Sequence, residues 1–128
     1  MSYYFSKTLR VSFDEALERT AGELKEKGFG ILTDIDVKST LKQKMDVEFR
    51  KYRILGACNP PFAYRALQAE DKIGTMLPCN VIVQELSEGE VEVAAVDPIK
   101  SMMAVENPDL ARVARQVRQD LQDVIEGL

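Results

Sequence analysis

Two cysteines hold most of the chemistry available to this chain. Each is followed by asparagine, as Cys58-Asn59 and Cys79-Asn80, and each lies in a stretch without charge, Ile54–Tyr64 and Ile73–Gln84. A cysteine thiolate is a nucleophile and a soft-metal ligand. Cys58 directly precedes Asn59-Pro60-Pro61, the pattern of a helix start. A helix N-terminus lowers a thiol pKa below its usual value of about 8.5. Two prolines donate no N–H, so fewer free amides than usual stand there to do it. Two thiolates also suit Cu(I), but C-x-x-C spacing is absent and no metal site is assigned. The plainer alternative is that both cysteines are small apolar core residues on neighbouring strands.

The chain contains no histidine. The usual general base, the commonest zinc ligand and the partner of a serine or cysteine nucleophile are therefore missing, and no catalytic residue is assigned. Asp34 and Asp36 lie two apart at a strand end and share a face, as an acid–base pair or hard-cation site requires. Asp36 has a simpler task as a helix cap. Arg53 and Arg65 can grip a carboxylate or phosphate in bidentate fashion, against a plainer role as ion-paired surface. Asn59 and Asn80 read either as a cap and a turn residue or as two amides that fix a polar ligand.

Pro60, Pro61, Pro78, Gly56 and Gly74 fall in the same two uncharged stretches as the cysteines. Irregular backbone, apolar surroundings and a few polar groups are what a pocket wall needs. The candidate ligand-binding set is therefore Cys58, Asn59, Pro60, Cys79, Asn80 and Arg65. The pattern names no cofactor.

Several elements must position these residues. Alternation over Tyr3–Val11 reads as a half-buried strand, with Tyr3, Tyr4 and Phe5 as sheet packing. Ser12 with Glu15 forms a capping-box pattern, followed by Phe13, Ala16, Leu17, Ala21 and Leu24 at helical spacing and a stop at Gly28. Phe29–Ile35 reads as a second strand. Asp36 starts a short helix through Lys44, with Val37, Leu41 and Met45 as its apolar side. Tyr52–Ala57 is a third strand, and the helix from Asn59 runs to Glu70. Val81–Leu86 and Val91–Val96 flank Ser87-Glu88-Gly89-Glu90 as a hairpin. Asp97-Pro98 opens a short helix and Asn107-Pro108 a long one. Its stripe is Leu110, Val113, Val117, Leu121, Val124, Ile125 and Leu128. Arg112, Arg115 and Arg118 form part of its mixed-charge, solvated face. The sum is an α+β fold, a mostly antiparallel sheet with helices packed on one face, over a single domain of residues 1–128.

With 128 residues, 45% of them hydrophobic and 30% charged, the chain has the balance of an ordinary folded domain. A net charge of −4 leaves no footprint for nucleic acid or an anionic membrane. The uncharged stretch Ile73–Gln84 is far shorter than the roughly 20 residues that span a bilayer. No apolar leader is present at the N-terminus, so a cytoplasmic location is expected, and a disulfide is disfavoured there.

The runs Ile54-Leu55-Gly56-Ala57-Cys58-Asn59-Pro60, Ala63-Tyr64-Arg65-Ala66-Leu67 and Leu77-Pro78-Cys79-Asn80-Val81 resemble the domain-of-unknown-function family numbered 302. Gly30–Val37 followed by Thr40-Leu41 is similar to that family's second-strand segment. The resemblance implies a small α+β domain similar to TATA-binding-protein-like folds, and a homodimer. It implies no activity, and the acidic charge speaks against DNA binding by fold analogy. Three functional readings remain open. The first is a non-enzymatic small-ligand-binding or regulatory domain with its site at the two cysteine segments. The second is a thiol enzyme or redox sensor using Cys58, and the third a dimeric interaction module.

Overall fold

The computed structural model describes residues 2–128. Its elements in chain order are β1 (Tyr4–Leu9), α1 (Phe13–Glu26), β2 (Gly30–Asp36), α2 (Val37–Met45) and β3 (Tyr52–Cys58). There follow α3 (Pro60–Ala69), a 3₁₀ turn (Asp71–Met76), β4 (Cys79–Ser87), β5 (Glu90–Val96), α4 (Pro98–Ser101) and α5 (Pro108–Glu126).

Local chemistry sets most of these boundaries. The Glu15 N–H donates to Ser12 Oγ at 3.1 Å and opens α1. Gly28, at φ +85°, closes it, its N–H donating to Lys25 O while the Phe29 N–H reaches Leu24 O. Asp36 caps α2 through the Ser39 N–H at 3.0 Å, and Asn107 caps α5 through Asp109 and Leu110.

The strands form one antiparallel sheet in the order β1-β5-β4-β3-β2. Side chains alternate across it. Val81 and Val83 of β4, with Val91, Val93 and Ala95 of β5, point to one face and are completely buried. Helices α1 and α5 cover that face with Leu24, Leu121 and Val124, and α3 and α4 pack against α5. The α+β reading holds. The stripe on α5 buries as expected, except that Val113 and Leu128 are only partly covered and Ala114 joins the core.

Three expectations need correction. Helix α2 has no buried residue, because it follows an edge strand whose only sheet neighbour among the described residues is β3; Met45 is 66% exposed. Tyr3 and Tyr4 meet edge-on at 5.0 Å but are exposed rather than packed in the core, since Tyr4 lies on the face away from α1 and α5. The arginine row of α5 is not all solvated. Arg118 Nε donates to Asp97 Oδ2 at 3.0 Å, and the buried Asp97 also caps α4 through the Ile99 N–H. Two charge-assisted bonds are what allow that carboxylate to sit in the interior.

Candidate functional site

The two cysteine segments meet because of strand register. Ala57 pairs with Cys79 across β3 and β4, so the end of one strand lies beside the start of the next. At the neighbouring position Gly56 leaves room that a side chain would fill. A Cβ there would fall within contact distance of Thr33 Oγ1 and 2.8 Å from Pro78 Cγ. Glycine thus lets the Pro78 ring and β2 close over this end of the sheet.

Between that end of the sheet and helices α3 and α5 lies a cavity of about 310 Å³. Its wall is almost wholly carbon and sulfur, with Phe29, Phe62, Ala66, Met102 and Leu110 among its residues. Close-packed interiors leave few voids larger than a water molecule, so apolar space of this size is a feature to be explained. Leu32 and Leu67, which line it, are 68% and 44% exposed and mark its opening to solvent.

Cys58, Asn59 and Cys79 all line this cavity, as does Pro78. Cys58 is half-buried and Cys79 buried, and both are free thiols. Burial, reinforced by charge repulsion with the neighbouring Cys58, pushes the Cys79 thiol up to about 11. Cys79 is therefore a neutral, soft, polarizable wall at ordinary pH. Among the described residues no ionised side chain lines the cavity beside either sulfur. Among the described residues no group of three His, Cys, Asp or Glu side chains comes together to hold a metal.

The remaining candidates fall elsewhere. Asn80 is on the opposite face of the sheet, in a shallow depression with Tyr4, Tyr52 and Gln84, because strand alternation turns it away from Cys79. Pro60 is exposed and does not line the cavity. Arg65 is exposed and lies over the Phe62 ring at 5.1 Å, on the outer side of the cavity wall. Asn59 occupies the N-cap position of α3 but makes no side-chain cap bond; its Nδ2 donates to Lys27 O at 3.2 Å and ties α3 to the end of α1. Asp34 and Asp36 both face Arg53, at 2.8 and 3.6 Å, which makes them a surface ion-pair cluster.

Sequence reasoning missed the helical side of the cavity. Ala66 on α3 and Ala114 on α5 both line it, and their small side chains leave the space unfilled. An alanine at a core-facing helical position was the available signal.

The matches to known proteins agree with this architecture. The model of the family described as "Domain of unknown function DUF302" matches residues 5–128. A solved structure of an uncharacterized conserved DUF302 protein from Bacillus stearothermophilus is 25% identical to this chain, with a TM-score of 0.89 over 98% of each chain. No curated protein matches the chain. Among the described residues no helix is long and apolar enough to cross a membrane. With a family model spanning residues 5–128 and a relative of the same fold, the chain belongs to the DUF302 family.

Proposed function

We propose that this protein is a non-enzymatic small-ligand-binding or regulatory domain whose ligand sits in the apolar cavity beside Cys58 and Cys79. The observation that carries this reading is the cavity itself. About 310 Å³ of space lined by carbon and sulfur, without an ionised group, is kept open beside an otherwise well-packed core. Water makes no adequate hydrogen bonds in such a space, and an apolar molecule displaces it with gain. The buried, neutral Cys79 thiol supports a wall role for that sulfur rather than a nucleophilic one. Free thiols are consistent with a reducing cytoplasm.

The domain works in this proposal as a homodimer joined through β2. Among the described residues no strand pairs with the outer side of that edge strand, which exposes Ile31, Leu32 and Ile35. A second copy on this edge would also cover Leu32, at the cavity opening. The test of the ligand site is a titration of alanine methyl NMR signals with 1-decanol. Saturable shifts of Ala66 and Ala114 are expected in the wild-type protein, with the Ala66 shift lost in Ala114→Leu. Shifts spread over the exposed apolar surface, unchanged by that substitution, would overturn the reading.

A further inference from the structure

Strand register builds an apolar surface apart from the cavity. Helices α1 and α5 cover one face of the sheet, where Val81, Val83, Val91 and Val93 are buried. On the opposite face Ile35, Ile54, Ile82, Ala94 and Ser6 stand in one row across all five strands, each the register partner of the next. Strand alternation ordinarily turns polar side chains toward water on such a face. Here Ile35 is 48% exposed, and Ile54, Ile82 and Ala94 are half-buried. In this row and the rows on either side of it, Glu92 is the only charged residue among the described residues, in a chain that is 30% charged. Its carboxylate accepts from Gln84 Nε2 at 2.8 Å, and Gln84 Oε1 accepts from Arg50 Nε at 2.8 Å, so that charge has a cation close by.

We propose that this sheet face is a self-association surface on which two β2-edge dimers meet as a tetramer, an inference that rests on the β2 homodimer reading above. Charge selects the occupant. A chain of net charge −4 repels its own copies over most of its surface, and repulsion is least where the side chains are neutral. A strongly charged partner finds nothing to pair with on this face, whereas a second copy brings the same aliphatic and hydroxyl groups. Area selects the stoichiometry. Five strands about 4.8 Å apart and three rows of side chains make a patch of roughly 24 by 17 Å, or about 400 Å² in projection. One pair of such faces buries about 800 Å², short of the roughly 1,200 Å² at which stable interfaces begin. A β2-edge dimer joins two patches in one continuous sheet, and two of those sheets bury about 1,600 Å², a standard interface. Twisted sheets pack face to face about 10 Å apart with their strands nearly aligned. Ile82 and Ala94 lie in a shallow depression of about 350 Å³, so the small alanine leaves room for an isoleucine of the opposing chain. Edge and face contacts together close with the symmetry of a D2 tetramer.

The experiment is sedimentation equilibrium of the full chain from micromolar to millimolar concentration, with circular dichroism to establish that each variant is folded. The wild-type protein should pass from dimer to tetramer as concentration rises. Ile82→Lys, at the centre of the face, and Tyr4→Lys, at a residue 39% exposed on the strand farthest from β2, should each leave the dimer intact. Each should weaken the tetramer by about a hundredfold or more, because the contact would trap an unpaired charge. Tyr4→Lys carries the test alone if Ile82→Lys does not fold. Leu32→Glu should be monomeric at every concentration, since it removes the edge pairing that the face contact needs. A wild-type dimer that forms no tetramer, or a tetramer that the folded lysine variants retain, would overturn the face contact and leave the β2 dimer standing. A wild-type monomer throughout would overturn both. A dimer that Leu32→Glu leaves whole and a lysine variant splits would overturn the β2 reading and put the dimer on the sheet face.

Discussion

Alkylation of Cys79 by iodoacetamide is expected to be slow in the folded protein for a reason that can be worked through. Only the thiolate reacts. Burial raises the native Cys79 thiol from an ordinary 9.0 to about 11. At pH 8 the thiolate fraction is therefore about a tenth in the unfolded chain and about a thousandth in the native one, a ratio of roughly 100. Exclusion of the reagent by burial can only widen this gap. The assay is a time course at pH 8 with and without urea, with labelling at Cys58 and Cys79 separated by peptide mass spectrometry. The same shift acts on stability. The unfolded thiol loses its proton first, so unfolding releases a proton between pH 9 and 11. The contribution of the neutral native thiol is whole below pH 9 and lost as the pH passes 11, a fall of about 3 kcal/mol. Subtracting the same pH series for Cys79→Ala removes the titration of lysines and tyrosines common to both proteins. Equal labelling rates for Cys79 in the native and unfolded chains, or identical pH dependence of stability in the two proteins, would refute the reasoning.

Ala114→Leu adds three carbons to the cavity wall and should raise stability by up to about 2 kcal/mol in urea denaturation, since the added surface is buried in existing space. A loss of 1–3 kcal/mol, as in an overpacked core, would show that the space is not there. Gly56→Ala should cost on the order of 2 kcal/mol and shift the NMR signals of Thr33 and Pro78, because the new methyl meets both. Asp97→Ala removes the α4 cap and the Arg118 bond together and should cost about 2 kcal/mol, while Asp97→Asn retains an oxygen for the cap and recovers part of it. The homodimer proposed through β2 predicts that the wild-type protein is a dimer by light scattering and that Leu32→Glu, at a residue 68% exposed, is a folded monomer. An unchanged dimer would remove β2 as the interface.

Most of the fold was legible because its boundaries are set by local chemistry. Ser12, Gly28, Asp36, Asp97 and Asn107 each act on backbone groups within a few residues, and the β4–β5 hairpin declares itself through its alternation and its turn. Burial of α2 was not legible, since an apolar side at helical spacing shows what a helix could bury and not whether a partner is present. Asn59 read as a cap by the same local logic, but a carbonyl at Lys27, distant in sequence, takes its amide. The site divided in a similar way. The uncharged stretches around Cys58 and Cys79 drew attention to the correct end of the sheet, while strand alternation separated Asn80 from Cys79. The cavity arises from alanines on two helices brought together by tertiary packing, and no local pattern encodes that meeting.

The cavity as a ligand site is tested most directly by native mass spectrometry of freshly purified, reduced protein, before and after incubation with saturating 1-decanol. The account gives an added mass of one small molecule per subunit, either carried through purification or gained on incubation, and its loss in Ala114→Leu. Bare subunits at the calculated mass under both conditions, or an adduct that Ala114→Leu retains in full, would contradict it.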